Sequence, residues 1–188
     1  MKNFNKIIIG GLLLVATLSS CKKDEEDPII PNEEEVITTL KYTLTPSTGG
    51  TPVVLTFQDL DGDGGNAPTI TGGTINANTS YTGAIELLNE TESPAEDITA
   101  EVAEEDDEHQ LFFEPSASDI SVAYTDMDDD GNPIGLATTL TTMAASTGTI
   151  KITLRHEPAK SAAGVSAGDI TNAGGETDIE VTFSLDVQ

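Results

Sequence analysis

From Val36 onward the sequence alternates apolar and polar residues with a period of two, and a chain patterned this way can fold into strands and little else. "VITTLKYTLT" sends Val36, Leu40, Tyr42 and Leu44 to one face, and "TPVVLTF" supplies a second run. "TSYTGAIELL" places Tyr81, Ile85 and Leu87 together. "ISVAYTD", "GLATTLTTM", "TIKITLRH" and "TDIEVTFSLDV" follow the same rule. Between them stand turn signals: "PSTGG", "DLDGDGG", "TGG", "DDDGNP", "STG" and "NAGG". The spacing predicts an antiparallel, Ig-like β-sandwich of about eight or nine strands over residues 36–188, in one domain.

"ESPAEDITAEVAEEDDEH" breaks the alternation. Ser93 as N-cap, Pro94 at the first helical position and Glu96 as the capping-box acid predict one inserted helix near 94–108. At about 100° per residue, Glu105 and His109 each fall within about 20° of Ile98, on the face that also carries Val102. That buried stripe therefore ends in a glutamate and a histidine. The second histidine, His156, continues the Ile150–Ile152–Leu154 face of its strand, and Pro158 ends the run. Both histidines thus take the inward register at the end of an element, where a buried polar group needs a partner. Two imidazoles with Glu105 or Glu157 nearby would suit zinc or copper. A structural polar cluster, or two histidines that never meet, fits the same pattern, since a helix C-terminus favours histidine without any ligand.

"DLDGDG" (Asp59, Asp61, Asp63) and "DMDDDG" (Asp126, Asp128, Asp130) open like calcium loops. The twelfth positions, Ile70 and Ala137, lack the closing carboxylate. Calcium is thus a lesser expectation than acidic hairpin turns. The letters "GVSAG" at 164–168 fit a nucleophile elbow but lie in a small-residue loop after Pro158, and no phosphate-binding string is present. No catalysis is expected.

Residues 1–20 read as a signal peptide, with Lys2 and Lys6 ahead of an apolar stretch from Ile7 to Leu18 that is short for a membrane span. "LSSC" resembles a bacterial lipobox, which makes Cys21, the single cysteine, the expected lipidation site. Residues 21–35, beginning "CKKDEED", then form a lipidated acidic tether that resembles the surface-export signal of Bacteroidota lipoproteins. With 33 acidic and 8 basic residues, the net charge of −25 repels nucleic acid, so no nucleic-acid partner is expected.

On "LSSCKKDEED", "LLNETESPAED", "EEDDEHQLFF", "LRHEPAKSAAGVSAGDI" and "GGETDIEVTF", nearly the whole chain resembles a group of short flavobacterial lipoproteins often named "type 1 periplasmic binding fold superfamily protein". The strand pattern does not fit the two α/β lobes of that name. The resemblance implies an outer-membrane, lipid-anchored, surface location in Bacteroidota and brings no activity with it. Two functions fit the sequence: a ligand- or metal-binding surface lipoprotein working beside an outer-membrane transporter, or a non-catalytic structural or interaction module of the envelope.

Overall fold

The computed structural model describes residues 35–62 and 64–188. The signal segment, Cys21, residues 22–34 of the tether and Asp63 lie outside the described residues. Residues from Glu34 to Gln188 make one compact unit.

Two sheets face each other with one helix inserted. The first contains β1 (Thr39–Pro46), β2 (Val53–Gln58), β3 (Thr69–Thr71), β5 (Ser80–Asn89), β8 (Ile120–Tyr124) and β9 (Ala137–Thr142), in the order β3-β2-β1-β5-β9-β8. The short β6 (Glu96–Asp97) pairs with the end of β5. The second sheet runs β4-β11-β10-β7, formed by β4 (Gly73–Ile75), β11 (Glu176–Val187), β10 (Ser146–His156) and β7 (His109–Pro115). Alternation places Leu40, Tyr42, Leu44, Tyr81 and Leu87 inward against Ile150, Ile152, Leu154, Val181 and Phe183 of the other sheet. The β-sandwich expected from the sequence is therefore the observed fold.

Four details differ from the expectation. Among the described residues eleven strands form instead of eight or nine, because β3, β4 and β6 are too short to show a period. One ladder, β4 with β11, is parallel. It arises where residues 69–75 leave the edge of one sheet and join the edge of the other. Gly72 makes that switch feasible: a Cβ there would lie 2.2 Å from the Ser184 carbonyl oxygen. Val36, assigned inward, is 57% exposed, because it precedes the first ladder pair.

The helix is the fourth difference. It spans only Ile98–Glu104, with Asp97 as N-cap, not 94–108 with Ser93 in that role. Glu96 bonds to Asn89 on β5 and so does not close a capping box. Thr99 both accepts from the Leu87 amide and donates to the Leu87 carbonyl, which pins the first turn to β5. Glu105, Asp106, Asp107 and Glu108 would crowd negative charge at a helix C-terminus, whose dipole disfavours it. The helix stops before them, with Ile98 and Val102 buried as its phase requires.

Candidate metal centre

His109 therefore opens β7 and does not close a helix, while His156 closes β10. The antiparallel register makes the two residues direct cross-strand partners. Opposite residues on one face of such a pair are neighbours. Their ring centroids are 4.5 Å apart with planes tilted by 37°. His109 is fully buried and His156 is 5% exposed.

A third side chain comes from β11. Leu154 pairs with Ile179 and Arg155 with Thr177, so Asp178 is an extra residue at a β-bulge. A bulge re-aims the side chain of its extra residue. Strict alternation from Ile179 would put Asp178 outside, so the sequence pattern does not mark it as a ligand. The bulge instead brings its carboxylate into the histidine pair.

Glu35 is the fourth. It was expected as the last residue of the tether, yet its side chain is only 9% exposed and Oε1 lies 2.9 Å from His109 Nε2. Its Oε2 is 3.9 Å from His156 Nδ1. Glu35, His109, His156 and Asp178 each present one ligand atom, and all four atoms fall within 4.8 Å of one another.

These atoms converge without satisfying each other. Glu35 Oε2, His109 Nε2, His156 Nδ1 and both Asp178 oxygens are buried and have no aligned hydrogen-bond partner among the described residues. The His109–Glu35 approach is close enough for an ion pair, but the ring N–H is not aligned for a hydrogen bond. Such groups are costly to bury unless something else satisfies them. The outward ring nitrogens, by contrast, are held. His109 Nδ1 lies 3.2 Å from the Glu105 carbonyl oxygen, and His156 Nε2 lies 3.5 Å from Glu108 Oε2. A ligating histidine is commonly oriented in this way through its other nitrogen.

Charge in the cluster is unevenly shared. Burial and then the neighbouring Glu35 charge push the Asp178 carboxyl up to about 7, against the pull of both histidines. Burial would also raise Glu35, but its contact with His109, its own amide and the two histidines outweigh this and hold it below the usual carboxylate range. Burial works against protonating His109; Glu35, the Glu105 carbonyl and Asp178 overcome it and raise its pKa. A divalent cation bound here would displace the protons that the folded site holds on Asp178 and His109.

The other sequence candidates stand elsewhere. Glu105 is the helix C-cap and serves the site through its carbonyl; its carboxylate is 3.9 Å from His109 Nδ1 and 53% exposed. Glu157 has a left-handed backbone (φ 49°) and makes, with Glu108 and the His156 it was expected to join, a second group whose ligand atoms lie within 4.8 Å of one another, both glutamates being exposed. The aspartates of the two loops hold their own turns. Asp59 accepts from the amides of Asp61 and Gly62, and Asp61 accepts from both the amide and the side chain of Asn66. Asp126 accepts from Gly135 and Ala137. Asp128 accepts from Asp130, Asn132 and the Lys160 ammonium. Ser166 of "GVSAG" is exposed on a single 3-10 turn, Val165–Ala167, rather than at a strand-to-helix elbow.

No protein-family model matches the chain, and no curated protein does. Among solved structures, domains 4 and 5 of the S-layer protein SbsC are similar over 78% of this chain and 75% of theirs, at 11% identity and a TM-score of 0.29. At that score the likeness carries no argument. Among the described residues, no helix is long and apolar enough to cross a membrane.

Proposed function

We propose that this chain is a non-catalytic, lipid-anchored lipoprotein of the outer-membrane surface that binds a transition-metal ion through Glu35, His109, His156 and Asp178. The observation that carries the metal reading is the convergence of four side chains whose facing atoms find no aligned hydrogen-bond partner among the described residues. Two imidazoles and two carboxylates make a nitrogen–oxygen donor set, which zinc accepts in tetrahedral geometry without preference from its d-electrons. Four protein ligands would fill that geometry, which suits retention of the ion rather than turnover at an open position. Copper is the second candidate. The envelope location rests on Lys2, Lys6, the apolar stretch and the "LSSCKKDEED" string, and Cys21 is its lipidation site. Delivery of the bound ion to an outer-membrane transporter would fit such a location.

The test is metal content. The full chain in detergent is exposed to zinc, copper and calcium, desalted, and analysed by elemental mass spectrometry. Near-stoichiometric zinc or copper is expected, and its loss in His109→Ala, His156→Ala and Asp178→Asn would assign the ligands. No retained metal in the native chain would overturn the reading. The 2.9 Å contact between His109 and Glu35 favours a second reading, in which the cluster is a proton-held ion pair inside a structural or interaction module.

A further inference from the structure

Three of the four ligands belong to neighbouring strands of one sheet: Asp178 on β11, His156 on β10 and His109 on β7. They are fixed by ladder hydrogen bonds. Glu35 arrives differently, from the segment that leads into β1 of the opposite sheet. From Thr38 onward that segment is tied down. The Thr38 amide bonds to Leu88, its carbonyl accepts from Asp59, and its hydroxyl bonds to Leu88 and Glu90. Upstream of Thr38 the ties end. Among the described residues, no backbone hydrogen bond joins residues 35–37 to the sandwich. Val36 is 57% exposed, while Ile37 is partly buried and packs against the core. Beyond Ile37, the Glu35 carboxylate, pointing at two histidines and a second carboxylate, attaches this short arm.

We propose that metal occupancy controls whether residues 35–37 are docked: the ion is a clasp between the arm and the three-strand ligand face. The proposal rests on the metal reading above. In the loaded protein, Glu35 completes the coordination and the arm lies against the sandwich. Without the ion, the histidine contacts alone hold the Glu35 carboxylate, and residues 35–37 open up to Thr38 far more often. Three ligands stay on the rigid sheet in both states, so the ion can enter before the arm closes over it.

The experiment reads cleavage of the arm alongside metal content, using the full chain in detergent. Elastase cuts after small aliphatic residues, and the Val36–Ile37 bond is its site in the arm. Proteolysis of a segment that opens and closes quickly follows the population of the open form. Zinc is expected to slow that cut at least ~10-fold in the native chain. In Glu35→Gln, zinc should still bind through His109, His156 and Asp178, but more weakly, since three protein ligands are enough to hold zinc with the fourth position open. At saturating zinc the cut in this variant should nevertheless run at the metal-free rate. Circular dichroism of both proteins confirms an intact sandwich. Zinc that binds the native chain without slowing the cut overturns the clasp and leaves the metal reading standing. A native chain that binds no zinc overturns both. Loss of all zinc in Glu35→Gln, with the fold intact, would also overturn the clasp, because Glu35 would then be part of the fixed site.

Discussion

Lys160 is a buried ammonium on a strongly acidic chain: it is 6% exposed, bonds to Asp128 Oδ2 at 3.0 Å and also donates to the Asp106 carbonyl. It occupies the place that "DMDDDG" suggested for calcium. The partner lies 32 residues downstream, so nothing local in the loop announces it. Removing one partner of a buried pair strands the other, so Lys160→Met should cost about 3–5 kcal/mol by denaturant unfolding at neutral pH. Burial opposes ionisation of Asp128, but Asn132 and Lys160 prevail and hold its carboxyl below 3.8. A lowered acid contributes stability that is present above its unfolded value and lost as pH falls through the folded one. The gap between the native chain and Lys160→Met should therefore narrow well below pH ~4. Asp106 sits in the turn between Glu105 and Glu108, so the same variant should also loosen the support of both histidines and weaken zinc retention. His156 was legible because it continued the apolar face of its strand, whereas His109 was named from the phase of a helix that in fact ends at Glu104, and its inward place comes from β7 instead. Glu35 was not legible: it follows two other glutamates, and a run of acids reads as solvated tether.

The long strands were legible as elements because one face of each is buried, and period two records that directly. What alternation cannot record is its own interruption. The bulge on β11 shifts one residue and thereby moves Asp178 from the water face to the ligand cluster. Its effect on stability has a definite sign. The unfolded carboxyl titrates near 3.8 and the folded one at about 7, so in between the folded state holds the extra proton. The metal-free chain should lose stability as pH rises through that window and level off above it. The raised His109 adds the same sign at higher pH. Thermal melts in chelator from pH 5 to 8 check this, and Asp178→Asn should flatten the part below pH ~7. At the return from β10 to β11, Gly175 has φ +69°, and a Cβ there would meet the His156 carbonyl oxygen at 2.2 Å. Gly175→Ala should displace His156, cost about 1–3 kcal/mol and lower zinc affinity, as titration calorimetry would show.

At the scale of the whole molecule, the ligands connect the two sheets: three stand on one, and the fourth precedes β1 on the other. Zinc at 1,000 times its dissociation constant should stabilise the fold by about 4 kcal/mol, seen as a rise in Tm that a chelator reverses. Which strands neighbour which was beyond the sequence, because single-strand patterns fix a face and not a partner. The parallel crossing at 69–75 was hidden for the same reason, its strands being three residues each. The position of β1 also has a mechanical meaning. It lies inside its sheet, bonded to β5 along all eight of its residues and to β2 along the first six, Thr39 to Leu44. A pull on the N-terminal side cannot peel it like an edge. It must first strip Glu35 from its contacts and then shear two ladders at once. The fold thus meets load with two ladders in shear at the end where the proposed surface anchor would transmit drag.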